Sequence, residues 1–303
     1  MRLALPAIVV AVSGCARSLV SALTLALAAN CIAWTPSAAA QPGAAALRAS
    51  YEQLAPSLEN SPFARPMVLN SAETANTLKG EVYGVLDRPL AKISAALDKP
   101  AHWCDMMMLH LNNRACRVDR AKQTLTLSVV RKYDIRVEDA FELAFRGRLV
   151  SATPDYFHAQ LNSGKGPFGT SNYRIALEGI PLENGKSFIH FSYAYDQSST
   201  TRVAAKSYLA TFGRGKVGFT SVGKQSSGDP ELIGGIRGLI ERNLMRYFLA
   251  VDAYSEAPDD FDKRLALWYA GTAKYPRQLG DLSEAEYLKI KHQDRKRQGA
   301  ARP

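Results

Sequence analysis

The stretch LIGGIRGLIERNLMRYFLAVDAY, residues Leu232–Tyr254, decides the fold of this chain. Its apolar residues recur at helical spacing and predict a helix of about six turns with one wide apolar stripe. The stripe consists of Leu232, Ile236, Leu239, Ile240, Leu244, Phe248 and Val251. A stripe of this length needs a large concave partner, and the only candidate is a sheet built from the segments that precede it.

The first of these segments, Leu78–Leu86, is predicted to be a strand with its apolar side chains on one face. Gly80 and Gly84 lie on that same face, which indicates a bend or a place where another element approaches the backbone closely. Two short helices follow. The first is expected to begin at Pro89 and the second at Pro100, because proline is well tolerated at the first helical position.

Alternating apolar residues predict six more strands up to Tyr195. They are Leu109–Val118, Gln123–Arg131, Phe141–Leu149, Phe157–Leu161, Tyr173–Leu177 and Ile189–Tyr195. The pair Asn184-Gly185 between the last two favours a hairpin turn. Residues 200–212 fit a helix or a strand, and Lys216–Val222 is predicted to be a final strand.

The predicted organisation is, in chain order, a signal peptide at 1–40, a linker with a short helix at 41–70, the main domain at 71–257 and a helical extension with a basic tail at 258–303. The linker helix is expected near Ala44–Leu54. The extension is expected to hold helices at Asp259–Tyr275 and Ser283–Arg297. The second of these begins with a capping-box pattern, in which Glu286 follows Ser283 by three residues.

The N-terminal segment has the pattern of a secretory signal peptide. An uncharged apolar run, Leu19–Trp34, precedes the small residues Ala38–Ala40, where cleavage is expected. Export to the periplasm follows from this interpretation. One alternative is a lipoprotein site at Val12–Cys15 with Cys15 acylated. Another is a retained membrane anchor, although the run is shorter than the roughly 20 residues that a membrane-spanning helix needs.

The net charge of +10 is concentrated at the two ends of the chain. The leader contributes +2 and residues 289–303 contribute +5, so residues 41–288 carry about +3. For an exported protein, a basic tail is expected to contact an anionic membrane surface rather than nucleic acid. The alternative is a solvated helix end that binds nothing.

Two cysteines remain after removal of the leader, Cys104 and Cys116. An even pair in an oxidising compartment predicts a disulfide. His102 and His110 lie nearby, so a Cys/His metal site is an alternative, but the spacing matches no zinc pattern. We therefore expect no metal. The glycine-rich stretch 163–167 lacks the context of a phosphate-binding loop, and no cofactor is expected either.

The order of these elements resembles the helix-grip fold of START-like proteins, a superfamily with lipid-transfer domains and polyketide cyclases. The likeness is carried by Leu78–Leu86, by Pro89–Met108 with Trp103-Cys104-Asp105, and by Gly234-Gly235-Ile236-Arg237. It implies an α+β fold in which a curved antiparallel sheet wraps around the long C-terminal helix. It also implies a hydrophobic cavity between sheet and helix. The superfamily shares no invariant catalytic set, so no catalytic residue is carried over.

Eight residues are candidates for contact with a ligand: Trp103, Met107, Tyr193, Tyr195, Ile236, Arg237, Ile240 and Asn243. The two tyrosines lie on the apolar face of their strand, where a phenol needs a hydrogen-bond partner. They could equally be core residues that neighbours satisfy. Arg237 could anchor a carboxylate or phosphate, or it could form a surface pair with Glu241 one turn later.

The sequence thus predicts an exported protein that binds or carries a hydrophobic or amphipathic small molecule, such as a lipid, between sheet and helix. One alternative is a cyclase- or hydrolase-like enzyme on the same scaffold. Asp105 and Asp134 are carboxylates that such a reaction could use, although nothing in the sequence pairs them. Another alternative is an interaction protein without a cavity.

Overall fold

The structure, a computed structural model, describes residues 43–211 and 215–300 of the chain. The predicted signal peptide at 1–40, with its alternative lipoprotein site at Cys15, lies outside the described residues, as do Phe212 and Arg302. In the two described ranges, no helix combines the length and the apolar content that crossing a membrane requires.

Eight strands form one antiparallel sheet in the order β1-β2-β8-β7-β6-β5-β4-β3. Their bounds are β1 Met67–Glu73, β2 Thr77–Leu86, β3 Asn113–Asp119, β4 Thr124–Val129, β5 Phe141–Thr153, β6 Tyr156–Lys165, β7 Thr170–Pro181 and β8 Ser187–Gln197. After β2 the chain crosses to the far edge of the sheet at β3. It then meanders back strand by strand until β8 pairs with β2.

The helices complete the arrangement. Their bounds are α1 Ala44–Glu59, α2 Leu90–Leu97, α3 Pro100–Met107, α4 Ser199–Thr211, α5 Gly235–Glu256, α6 Phe261–Ala273, α7 Pro276–Leu279 and α8 Glu284–Ala300. Helix α5 packs against β1, β2 and β8, and α2, α3, α4 and α6 also contact it. A curved antiparallel sheet holding one long helix confirms the predicted α+β helix-grip fold and the expected C-terminal helices.

Close approach of α5 to β2 explains the two inner-face glycines. A Cβ atom added at Gly84 would lie 2.6 Å from Cζ of Phe248, and one added at Gly80 would lie 3.2 Å from Cδ2 of Leu244. Both values are shorter than an ordinary van der Waals contact. The apolar stripe of α5 therefore packs directly on the backbone of β2, as the sequence pattern indicated.

Two elements differ from the sequence-based expectations, and a third had been left open. Strand β1 lies partly within the segment predicted to be a linker, and it pairs with β2. The residues left open between helix and strand form helix α4 as far as Thr211. The predicted final strand at Lys216–Val222 is wrong, because only Ser221–Lys224 is a strand (β9), and it pairs with Pro230–Leu232 (β10) in a separate two-stranded sheet. The backbone N–H of Gly218 instead donates to the carbonyl oxygen of Ile233. The N–H groups of Phe219 and Thr220 donate to the carboxylate of Glu241 in α5.

Several local predictions are confirmed. Asn184 and Gly185 have φ angles of 58° and 69° between β7 and β8, the left-handed values that such a turn requires. The carboxylate of Glu286 accepts from the backbone N–H of Ser283 over 3.0 Å and so caps α8. The linker helix is present as α1. It packs on the outer face of the sheet through a small apolar cluster formed by Leu47, Leu58, Ile180 and Phe188.

A disulfide joins Cys104 in α3 to Cys116 in β3, with Cα atoms 5.5 Å apart. The predicted bond is therefore present. It closes a short loop in which α3 ends and β3 begins, and it leaves neither sulfur free to bind a metal ion. Trp103 packs beside it in the main core.

The basic residues of α8 make contacts within the protein. Lys291 is buried and donates to two backbone carbonyl groups of the 110–113 loop, each over 2.8 Å. The guanidinium of Arg295 lies 4.1 Å from the centre of the Phe261 ring, and Arg297 pairs with a buried aspartate of the same helix. Contact between this tail and an anionic membrane stays a prediction. In the described part of the tail, the basic residues that could make this contact are Lys289 and Lys296.

Candidate ligand-binding site

Four tyrosines lie where α5 meets the inner face of β7 and β8, and we call them the tyrosine ladder: Tyr173, Tyr193, Tyr195 and Tyr247. Tyr173 stacks on Tyr195 with ring centroids 5.1 Å apart. The ring of Tyr193 lies 5.7 Å from that of Tyr195 and 6.1 Å from that of Tyr247. The ladder is therefore a continuous series of rings that leads from β7 to α5.

Strand alternation and one glycine place the middle of the ladder. Tyr193 and Tyr195 share a face of β8 with Phe191, which is fully buried in the core. In the neighbouring strand β2, Gly80 is the residue directly opposite Tyr193. Because glycine has no side chain, Leu244 and Ile240 of α5 approach the strand backbone closely at this point, beside Tyr193.

The phenol groups of the ladder keep their protons. Burial raises the pKa of Tyr193 well above its ordinary value and the pKa of Tyr247 to about 12. Burial also raises the pKa of Tyr173 and Tyr195. At neutral pH these hydroxyl groups are therefore uncharged and can donate hydrogen bonds. Tyr193, Tyr195 and Tyr247 nevertheless retain part of their surface accessible, which fully packed core side chains do not.

A polar group of side chains ends the ladder on the α5 side. His110 stacks on Tyr247 with ring centroids 4.9 Å apart, and Nδ2 of Asn113 donates to the Tyr247 hydroxyl over 3.3 Å. Burial lowers the pKa of His110 well below its usual value, and nearby positive charges add to this effect, so the ring is neutral. Asn243 lies one turn before Tyr247 on α5 and is partly accessible. This end of the ladder thus offers uncharged donors and acceptors.

A concavity of about 580 Å³ opens at the N-terminal end of α5. Ile236 and Arg237 line it together with Leu209 from α4. The Arg237 guanidinium donates from Nε to the Ser71 hydroxyl over 3.0 Å and from Nη2 to the Ser71 carbonyl oxygen over 2.9 Å. Its donors are therefore partly occupied by β1, and an anion would have to compete with these contacts.

The surface pair expected between Arg237 and Glu241 is replaced by a different arrangement. Glu241 is fully buried and accepts from the Ser71 hydroxyl over 2.5 Å. It also accepts from the backbone N–H groups of Phe219 and Thr220 over 2.6 and 2.9 Å. The Ser71 hydroxyl therefore lies between the arginine and the carboxylate. The Glu241 side chain therefore points into the protein and ties the preceding loop to α5.

Three of the candidate residues, Trp103, Met107 and Ile240, pack in the protein core. The indole Nε1–H of Trp103 donates to the carbonyl oxygen of Leu97 over 2.9 Å. Met107 is fully buried in the main core, and Ile240 is buried against Leu78. These three side chains can form the wall of a recess but offer no free polar group. Their contact with a ligand, like that of Tyr193, Tyr195, Ile236, Arg237 and Asn243, stays a prediction.

Sequence reasoning missed the other members of the site. Tyr173 alternates with Ile175 and Leu177 in its strand, which was a usable signal. Tyr247 follows Asn243 by one helical turn at the border of the stripe. His110 and Asn113 carried no such signal, because they lie at the turn that leads into β3, which only the tertiary fold brings to α5.

The site has the character of a binding surface with hydrogen-bonding groups. Asp134 is exposed and pairs with Lys132, and Asp105 lies in α3 rather than on the ladder. The imidazole that contacts the ladder is the neutral His110. Within residues 43–211 and 215–300, no cluster of three or more His, Cys, Asp or Glu side chains is arranged to hold a metal ion.

No protein-family model matches the chain, and no curated protein matches it significantly. Among solved structures, the chain is similar to a truncated norcoclaurine synthase from Thalictrum flavum, with 10% identity, a TM-score of 0.33, and coverage of 47% of this chain and 89% of that one. A conserved protein from Geobacillus kaustophilus gives 10% identity, a TM-score of 0.32, and coverage of 45% and 86%. The di-domain ARO/CYC protein BexL from the BE-7585A biosynthetic pathway gives 11% identity, a TM-score of 0.32, and coverage of 45% and 42%. The helix-grip assignment itself rests on the strand order and on the packing of α5 described above.

Proposed function

We propose that this protein is exported to the periplasm and there binds, and carries, a hydrophobic or amphipathic small molecule between its sheet and α5. The ligand would lie along the tyrosine ladder. Burial of its apolar surface would supply affinity at roughly 25 cal/mol per Å². The phenol and amide groups of the ladder would orient its polar end.

One observation carries this proposal. Tyr193 and Tyr247 are surrounded by protein closely enough for burial to raise their pKa strongly, yet both side chains retain accessible surface. A side chain in solid packing has no such surface, as Phe191 shows. The combination supports a recess beside the ladder that a ligand can fill.

Helix α4 supports a route to this recess. Its Leu209 packs with Leu78, Ile236 and Ile240, and the partly buried Tyr193 and Tyr195 join the same cluster. The helix therefore lies at the end of the ladder formed by β8. Displacing it would uncover these tyrosines without breaking the main sheet.

The direct test is extraction of the purified mature protein with organic solvent, followed by mass spectrometry. We expect a co-purifying apolar molecule, and we expect the protein to bind the uncharged fluorescent probe N-phenyl-1-naphthylamine. Cell fractionation of the full-length chain tests the export. A mature protein that carries no ligand and does not bind the probe would contradict the proposal.

Two variants sharpen this test. Tyr193→Trp adds bulk on the inner face of β8 and should abolish or strongly weaken probe binding. Ser192→Trp adds a tryptophan to the neighbouring position, whose side chain points to the opposite face, and should leave probe binding unchanged. Equal probe binding by the two folded variants would place the ligand elsewhere.

A further inference from the structure

The concavity at the N-terminal end of α5 combines apolar walls with charged side chains, and we call it the α5 concavity. It is lined by Glu73 at the end of β1, by Lys206 and Leu209 of α4, and by Ile233–Arg237 at the start of α5. Its volume of about 580 Å³ lies within the range of about 300–1,000 Å³ that is typical of small-molecule sites. None of the ladder tyrosines is among the described residues that line it, so it is a separate candidate site.

Arg237 turns one edge of its guanidinium to β1 and keeps another edge free. Its Nε donates to the Ser71 hydroxyl and its Nη2 to the Ser71 carbonyl oxygen, so both contacts use the edge formed by Nε and Nη2. A guanidinium has five N–H donors, and these contacts occupy two of them. The remaining N–H groups, on Nη1 and Nη2, have no partner among the residues that the structure describes. Because Nη1 is not one of the buried unpaired atoms, a ligand in the α5 concavity can reach it.

The carboxylates near Arg237 already have partners. Glu73 pairs with the Lys206 ammonium over 3.3 Å, and Glu241 accepts from the Ser71 hydroxyl and from two backbone N–H groups. The free polar groups of the α5 concavity are therefore mainly donors, on Arg237 and on Lys206, and a polar group that enters must accept hydrogen bonds. No side chain caps the first turn of α5, so the partial positive charge of the helix end adds to the preference for an anion.

The remaining wall of the α5 concavity is apolar and firmly packed. Leu209 and Ile236 belong to one buried cluster with Leu78 and Ile240, and Ile233 is buried as well. An alkyl chain that lies against this wall removes apolar surface from water. A small anion gains only the polar contact with Arg237, whereas an anion with an alkyl chain gains both.

We propose that the α5 concavity is a binding site for an amphiphilic carboxylate, a molecule with an alkyl chain and one carboxylate group. The carboxylate accepts two hydrogen bonds from the free edge of Arg237, formed by Nη1 and Nη2, in a bidentate contact. Lys206 supplies a second cation at the rim, and the alkyl chain lies against Leu209 and Ile236. This site goes beyond the proposed function, because it is separate from the tyrosine ladder.

The test measures binding of radiolabelled decanoate to the mature protein by equilibrium dialysis, with unlabelled acetate and 1-decanol as competitors. We expect the affinity for decanoate to fall as the NaCl concentration rises, because salt screens a charge contact at an open site. Acetate lacks the chain and 1-decanol lacks the charge. Each should therefore displace decanoate only at a concentration at least about tenfold higher than unlabelled decanoate, the factor that one hydrogen bond to a charged group supplies.

Two variants locate the site. Arg237→Gln removes the cation and should weaken decanoate binding about tenfold, with a smaller effect on 1-decanol. Its control is Arg120→Gln, an exposed arginine in the turn between β3 and β4. Gly234→Trp should abolish or strongly weaken decanoate binding by filling part of the α5 concavity. Since nothing lies within 4 Å of a Cβ atom added at Gly234, this variant leaves the contacts of Arg237 with Ser71 in place and tests the site even if Arg237→Gln fails to fold.

Gly164→Trp in β6 is the control for added bulk, because nothing lies within 4 Å of its added Cβ atom either. Neither control should change decanoate binding. Equal decanoate affinity of folded Arg237→Gln and Arg120→Gln, equal affinity of folded Gly234→Trp and Gly164→Trp, or an affinity that does not respond to NaCl would overturn the carboxylate site. A protein that takes up N-phenyl-1-naphthylamine but not decanoate would overturn this site and leave the proposed function standing, and the reverse result would overturn the proposed function alone.

Discussion

The ring of His110 stacks on that of Tyr247 with centroids 4.9 Å apart, and this contact joins the loop after α3 to the middle of α5. The same loop is held from the other side by α8. Lys291 donates to its backbone carbonyl groups over 2.8 Å, and the hydroxyl of Tyr287 donates to the carbonyl oxygen of Leu109 over 2.9 Å. The C-terminal extension therefore positions the polar end of the tyrosine ladder, although it contributes no side chain to it.

Replacement of Asp294 by asparagine should destabilise the protein by about 3–5 kcal/mol. Asp294 is fully buried and accepts from Nε of Arg114 over 3.0 Å, and Nζ of Lys291 lies 3.5 Å from it. Without its charge, two buried cations lose their shared counter-ion. Urea unfolding measures the effect. Asp262→Asn is the control, because the Asp262 side chain is 75% exposed where it pairs with His292 and such pairs contribute little. Similar stabilities of the two variants would show that α8 is not anchored in this way.

The close approach of α5 to β2 predicts a graded series of glycine substitutions. Gly84→Ala would place its Cβ atom 2.6 Å from Phe248 Cζ, so helix and strand must separate locally. We expect a loss of about 1–3 kcal/mol, typical of overpacking. Gly80→Ala, with its nearest contact at 3.2 Å, should cost less.

Gly164→Ala in β6 is the control for this series, since nothing lies within 4 Å of its added Cβ atom. It should be neutral or slightly stabilising, because alanine restricts the unfolded chain more than glycine does. Thermal and urea unfolding of the three variants give the order. If Gly84→Ala were as stable as Gly164→Ala, the seating of α5 on the strand backbone would be wrong.

The sequence predicted those parts of the fold whose signals are local. The stripe of α5, the glycines of β2 and the Asn184-Gly185 turn each arise from a pattern within one segment, and each lies where it was expected. Strand β1 has only two alternating apolar residues that are buried, Met67 and Leu69, so it gave too weak a signal. Its partner β2 holds it by backbone pairing that no sequence pattern records.

The candidate site was predictable only in part for the same reason. Tyr193 and Tyr195 were found because strand alternation put them on the apolar face. The segment around Phe219 was misread as a sheet strand, because its alternation is real but its N–H groups donate to Glu241 on α5. His110 and Asn113 become part of the site through contacts with α5 that are distant in sequence.

The disulfide between Cys104 and Cys116 should contribute about 2–4 kcal/mol to stability. It ties α3 to β3 next to the loop that carries His110. The double variant Cys104→Ser/Cys116→Ser should therefore unfold at lower urea concentration than the oxidised protein, and it should bind N-phenyl-1-naphthylamine more weakly. A reducing agent should lower the stability of the unaltered protein to that of the variant and leave the variant unchanged. Equal stability of the oxidised protein and the double variant would contradict this contribution.

The pH dependence of stability should report a buried imidazole on the outer face of the sheet. His190 lies between two carboxylates, with Nδ1 3.1 Å from Glu178 and Nε2 3.1 Å from Glu81. Burial alone would lower the pKa of His190, but the hydrogen bonds to both carboxylates outweigh it and raise the pKa above 6.5. The ring of Tyr83 stacks on the imidazole at 4.3 Å. Lys79, which pairs with Glu81, and His158, which interacts electrostatically with Glu178 and His190, also face this cluster.

Because the folded-state pKa of His190 is raised, the stability that its charge contributes is fully present below the unfolded value of 6.5. It is lost as the pH rises from 6.5 through the folded-state pKa, because in this range the folded chain holds a proton that the unfolded chain has already released. In His190→Gln this contribution is absent at every pH. The free-energy difference between the unaltered protein and His190→Gln, measured by urea unfolding from pH 5 to 9, should therefore shrink as the pH increases. His292→Gln, whose imidazole is 48% exposed, should show no comparable change, and a difference for His190→Gln that stays constant or grows with pH would show that the imidazole is not held charged between Glu178 and Glu81.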